Sequence, residues 1–292
     1  MSQVRLTKKQ KQDQAREDAR LKREEQRLRK RRQRWFVQGA VVVGMLAVVA
    51  IAAVVVFNVT RPPVPGPLNM LSDGILMSGD GTTATAVTTT ALQPSATPVA
   101  TDPTAHAETV NIVEYIDYQC PYCQQFETTN ASQIEQWVSG GIATVEIHPI
   151  AILDNSSKGT KYSTRAANAA ACVANFDPNN YLKVNDALFT NQPAEGTSGL
   201  TDEELKKIVS DAGASGKDVA ECISSQTFSS WVAGATKRAL AGPLPNSTDT
   251  SNVQGTPTVL VDGQKYPGAL DDATAFSDFV GQIAEAKVSS AG

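Results

Sequence analysis

The feature that most restricts the fold of this chain is a change of periodicity between Val110 and Val138. Val110–Ile116 (VNIVEYI) is β-branched and apolar, the pattern of a buried strand. Soon after it, Cys120-Pro121-Tyr122-Cys123 opens the stretch CPYCQQFETTNASQIEQWV, residues 120–138, which reads as a helix. Pro121 falls in its first turn, where a missing N–H does no harm. Residues 141–150 (GIATVEIHPI) return to strand, and residues 160–241 look helical throughout, with a capping box beginning at Thr201 and closing at Glu204. Residues 256–263 (TPTVLVDG) are again strand; Gln264–Tyr266 can pair back across the Asp262-Gly263 turn, and residues 271–286 form a last helix. Strand, helix, strand, helical block, strand, strand, helix is the order of a single mixed α/β domain over roughly residues 70–290.

What precedes this domain is of another kind. Residues 1–34 carry 14 Lys and Arg against 5 Asp and Glu, a net of +9, whereas the remaining 258 carry 12 against 25, a net of −13. The total of −4 therefore hides a split between two environments and gives no argument for nucleic-acid binding. Between Arg34 and Arg61 there is no charged residue at all. Residues 35–60 are long enough to cross the ~30 Å hydrocarbon core of a bilayer as a helix. The positive-inside rule places residues 1–34 in the cytoplasm and the rest across the membrane. The reading is a single-pass signal anchor in the cell membrane, with a cleaved signal peptide as its rival. Residues 61–107 read as a linker: RPPVPGP is a semi-rigid spacer, and the Thr-, Ala-, Ser- and Pro-rich stretch 82–107 has too little apolar content to bury. Within it, residues 73–81 (DGILMSGDG) form a candidate first strand.

All four cysteines lie beyond the apolar run, where disulfides are permitted. Cys120 and Cys123 are a C-x-x-C pair; Cys172 and Cys222 lack a second close pair, and neither His106 nor His148 stands at ligand spacing, so no metal site is expected. At the start of a helix, Cys120 meets unpaired N–H groups and the positive end of the dipole, which favour the nucleophilic thiolate. Cys123, one turn later, faces the same side and can resolve a mixed disulfide. The plainer reading is a structural disulfide, but so small a ring constrains little chain.

EYIDYQCPYCQQF, followed far downstream by GTPTVLVDG, resembles the DsbA-like family of extracytoplasmic disulfide oxidoreductases. That resemblance implies a thioredoxin-like fold over residues 108–290 with a helical insertion at about 155–240. It implies that Cys120 is the nucleophile and Cys123 the resolving thiol. It implies a cis bond at Pro257, with Thr256 offering its backbone to a client chain and Pro121 and Tyr122 lying beside it. Glu114, six residues before Cys120, matches a buried carboxylate that exchanges a proton with Cys123; a partly exposed edge-strand Glu is the alternative. Tyr122 stands where the best-known member has histidine, which implies a milder oxidant. Cys172 and Cys222 both fall in the insertion, where a second, structural disulfide is expected over free thiols. No metal or organic cofactor follows, since the dithiol is itself the redox centre. The implied partners are cysteine-containing client polypeptides and a membrane oxidant or reductant, and the simplest state is a tethered monomer. A reductase or isomerase of the same fold, and a redox-inactive peptide-binding module, remain as alternatives.

Overall fold

The β-branched run Val110–Ile116 forms strand β3 at the heart of a six-stranded sheet of order β2-β1-β4-β3-β5-β6. This computed structural model describes residues 64–291 together with Arg20, Arg27, Arg29, Trp35, Gly44 and Met45. Apart from those six positions, the basic tail over 1–34 and the span over 35–60 lie outside the described residues. Among the described residues no helix is long and apolar enough to cross a membrane.

Strands β1 (Ile75–Gly79), β2 (Ala84–Ala86), β4 (Ala143–Pro149), β5 (Thr258–Val261) and β6 (Gln264–Lys265) complete the sheet. Only β3 and β4 run parallel, and helix α1 (Pro121–Ser139) is the crossover that joins them. β3 pairs on its other side with β5, antiparallel, so that Glu114 lies between Ile147 and Val259. The final hairpin turns at Asp262 (φ 43°) and Gly263 (φ 84°), the two positive φ values that a tight primed turn requires. A Cβ at Gly263 would lie 2.1 Å from the Asn246 carbonyl oxygen, so the turn tolerates only glycine.

The period of two along each strand sorts the side chains onto two faces. Ile112, Ile116, Val145, Ile147, Val259 and Val261 join the main core with Phe126, Ile134 and Val138 of α1 and with Phe276 and Val280 of the last helix, α7 (Ala273–Ala291). Phe126 meets Phe276 edge-on at 5.1 Å, a pairing in which each buried ring contributes roughly 1.5–3 kcal/mol by burial alone. On the opposite face Tyr115 and Leu260 pack with Ala239, Leu244 and Val253.

Between β4 and β5 lies an all-helical insertion: α2 (Tyr162–Phe176), α3 (Tyr181–Thr190), α4 (Asp202–Asp211), α5 (Lys217–Ser225) and α6 (Ser229–Ala241). The alanines of α2 (166, 167, 169, 170, 171 and 174) are all buried, and their small side chains allow neighbouring helices to approach it on several sides. Thr201 and Glu204 close the capping box at the start of α4.

Residues 82–107, expected to be a flexible linker or a long loop, are a long stretch of mostly irregular chain held to the domain. Ala84–Ala86 pairs with Met77–Gly79 as the sheet's edge, Val87 N–H donates to Leu76 O at 2.9 Å, and Val99 N–H donates to Leu71 O at 3.1 Å. Upstream, Gly66 N–H donates to Leu92 O at 2.8 Å, and Met70 and Leu92 are buried. The segment needs few apolar side chains, because backbone pairing to β1 and its flank satisfies its polar groups.

Candidate active site

Cys120 is the N-cap of α1, in extended backbone (φ −77°, ψ 118°), with Pro121 as the first helical residue. No side chain caps this helix, so its first N–H groups are free to face the Cys120 sulfur. The thiol of Cys120 is pushed down to about 6 from an ordinary 9.0, chiefly by the hydrogen bond from the Cys123 side chain, against the opposing effect of burial. The backbone N–H groups of Cys123 and Tyr122 add to this. Cys123 is fully buried, and burial, followed by the neighbouring Cys120, pushes its thiol well up. The pair is thus split: near neutral pH one sulfur is mostly thiolate, and the other keeps its proton. Both are present as free thiols.

The far side of the site comes from the loop before β5. The Thr256–Pro257 peptide bond is cis, and Cys120 Sγ lies 3.1 Å from the Thr256 carbonyl oxygen, to which its protonated form donates. Tyr122 is 63% exposed and stands beside the sulfurs as an open face, with Pro121 also exposed. On the insertion side, Gln192 Nε2 donates to the Cys120 carbonyl at 3.0 Å, which ties the nucleophile to the end of α3.

Glu114 is buried in the middle of the sheet rather than at an edge. Burial raises its pKa well above the usual carboxylate range, and Glu127 raises it further. Glu127, one turn along α1 from Cys123 on the same buried face, is itself raised to about 7, again chiefly by burial. Glu127 Oε2 accepts a hydrogen bond from Asn185 Nδ2 at 3.1 Å, and Asn185 Oδ1 accepts one from Tyr118 Oη at 2.8 Å. A cavity of about 210 Å³, bordered by Lys183 and Asp186, opens onto the two carboxyl groups. Two buried carboxyls in contact hold one proton more readily than none.

Cys172 on α2 and Cys222 on α5 are joined as a disulfide, with Cα atoms 5.8 Å apart and both sulfurs buried. The sequence reading missed Glu127 and Gln192. Glu127 carried a signal: Cys123, Phe126, Asn130 and Ile134 recur at helical spacing, and a glutamate on that face is out of place.

The thioredoxin family profile matches residues 104–283, well over half of the chain. This chain belongs to the thioredoxin family. Among solved thioredoxin-like structures it is similar to oxidised DsbA of Mycobacterium tuberculosis (25% identity, 75% of this chain and 100% of that one, TM-score 0.52). It is also similar in fold to the disulfide bond oxidoreductase DsbG of the same organism, in reduced form (24% identity, 74% and 93%, TM-score 0.54), and to BdbD of Bacillus subtilis (18%, 77% and 100%, TM-score 0.53). The thioredoxin fold and the Cys120–Cys123 pair of free thiols supply the groups that thiol–disulfide exchange needs. A shorter likeness links it to the serine/threonine-protein kinase PknE of Mycobacterium tuberculosis, 38% identical over 99 residues. That match takes in 32% of this chain and 18% of the kinase, so the chain spans less than a fifth of the curated relatives it matches.

Proposed function

We propose that this chain is a membrane-tethered, extracytoplasmic oxidase of protein thiols that works through Cys120 and Cys123. The observation that carries this reading is the split between the two sulfurs. A thiol held near 6 lies between the ~7 of thioredoxin and the ~3.5 of DsbA. Stabilising the thiolate stabilises the reduced protein, and so makes its disulfide a stronger oxidant than that of thioredoxin.

In the forward reaction a client thiolate attacks Cys120 Sγ. The Cys120–Cys123 bond breaks, and Cys123 leaves with the electron pair and takes a proton from the Glu114–Glu127 pair. The client's second thiolate then attacks its own sulfur in the mixed disulfide and expels Cys120 as a thiolate. Two electrons pass to the protein, and a membrane-borne electron acceptor regenerates the disulfide. The client backbone lies beside Thr256, added as a strand, with Tyr122 and Pro121 at its flank. The dithiol is the only redox group this scheme uses. The closed Cys172–Cys222 bond suits an oxidising compartment, and the uncharged stretch 35–60 supports an anchor that leaves the domain outside the cell membrane, as a monomer.

The reading is tested by equilibrating the full chain in glutathione buffers and measuring the reduction potential of the Cys120–Cys123 couple. A value between about −180 and −120 mV, the range from protein disulfide isomerase to DsbA, supports the oxidase. A value near −270 mV, that of thioredoxin, reverses the direction of electron flow.

A further inference from the structure

Asp117 has no role in the scheme above, yet it touches both halves of the dithiol. It is fully buried in the turn between β3 and α1. Its backbone carbonyl accepts Cys120 N–H at 2.9 Å, and its own N–H donates to Cys123 Sγ at 3.5 Å. Its carboxylate divides in two directions. Oδ1 accepts Gln119 N–H at 2.8 Å and closes the turn that carries Cys120; Oδ2 accepts Leu153 N–H at 2.9 Å, where the chain leaves the sheet for the insertion. Ser163 and Tyr162 of α2 border the same carboxylate. A buried charge is expensive unless each lone pair is used, and a turn alone needs only one acceptor oxygen. The second oxygen spans from the active-site turn to the insertion.

We propose that Asp117 is a positioning residue: its two-way carboxylate holds the 117–120 turn against Leu153, keeps its own N–H on the Cys123 sulfur, and thereby sets how easily the dithiol is reduced. The inference rests on the dithiol being reversible. It does not depend on which direction the enzyme runs.

The test uses the full chain in glutathione buffers, with the Cys120 thiolate followed by its ultraviolet absorbance. Asp117→Asn keeps the size of the side chain and one acceptor, but turns an N–H donor towards Leu153 N–H. Loss of the N–H contact to Cys123 weakens the reduced state. The equilibrium with glutathione then shifts about 10-fold towards the oxidised protein, and the Cys120 titration moves to higher pH. Asp117→Ser, which can still close the turn onto Gln119, gives the same shift and serves if the first variant does not fold. Thr236→Ala removes the acceptor of Ala151 N–H (2.9 Å) on the same crossover without reaching the sulfurs, and leaves the equilibrium within about 2-fold of the parent. Three results overturn the proposal: an unchanged equilibrium in folded Asp117 variants, an equal shift in Thr236→Ala, or failure of both Asp117 variants to fold. A titration moving to lower pH also overturns it, because the charge of Asp117 would then outweigh its hydrogen bonds. If the parent protein cannot be reduced at all, it is the oxidoreductase reading that fails.

Discussion

The two cysteine pairs of this molecule lie in contrasting surroundings. Cys120 and Cys123 sit three apart at a helix start, unjoined, with Thr256, Asp117, Glu114 and Glu127 gathered around the loop and helix that carry them. Cys172 and Cys222 are 50 apart and joined, in a helical block where Cys172 lies on a helix of buried alanines. Polar and titratable neighbours give a sulfur pair two accessible oxidation states, because each state finds hydrogen bonds. A hydrophobic interior offers a thiolate nothing, and there a disulfide serves only to limit the unfolded chain's freedom.

The largest effect expected from this contrast is at the nucleophile. Cys120→Ser lowers disulfide exchange with a dithiol peptide by about 1,000-fold or more, while its urea unfolding stays within about 0.5 kcal/mol of the parent. A stable variant that still exchanges disulfides would mean that the two pairs are not divided by role. The reverse experiment replaces Cys172 and Cys222 together by alanine. Opening a 50-residue loop costs about 4 kcal/mol of stability in the chain-entropy model, and the exchange rate under folding conditions stays within about 2-fold. If exchange collapses in a variant shown to be folded, the insertion disulfide is part of the chemistry.

The smallest effect concerns the titratable neighbourhood alone. Glu127 is raised to about 7 in the folded protein by burial, whereas its carboxyl in the unfolded chain titrates near 4.5. A group raised in this way favours the fold below its unfolded pKa and loses that contribution as pH rises through the folded one. Stability therefore falls between about pH 4.5 and pH 7, by on the order of 2 kcal/mol. Glu127→Gln flattens that slope, as measured by urea midpoints across the range, and an unchanged slope would remove Glu127 from the proton store beneath Cys123.

Much of this contrast was legible in the sequence, and the reasons are specific. The run VNIVEYI, with a Pro at the start of the following helix, left strand β3 and helix α1 little freedom, and both ends of α1 fall where periodicity and Pro121 put them. Glu114 could be singled out because it breaks the apolar face it shares with Ile112 and Ile116. Its partner Glu127 could not be paired with it, because that contact joins a strand to a helix and no local pattern reports it. Which of linker or long loop the stretch 82–107 would be was not legible, for a related reason. Its order comes from backbone hydrogen bonds to β1 and its flank, and backbone bonding leaves no trace in side-chain hydropathy. Asp117 was visible as a letter in the motif, but its bond to Leu153 spans 36 residues.

The contact between Cys120 and Thr256 joins positions 136 residues apart, and this bears on the order in which the protein can assemble. β3, α1 and β4 are continuous in the chain and can close locally, whereas β5 is made more than 100 residues after them. A chain emerging from synthesis therefore displays all four thiols before the strand that completes the dithiol's cradle exists. During that interval Cys120 is open to Cys172 and Cys222 as well as to Cys123. Correct pairing in this protein is thus a matter of timing as well as of geometry, and its last strand ends the period in which the dithiol is itself exposed to mispairing.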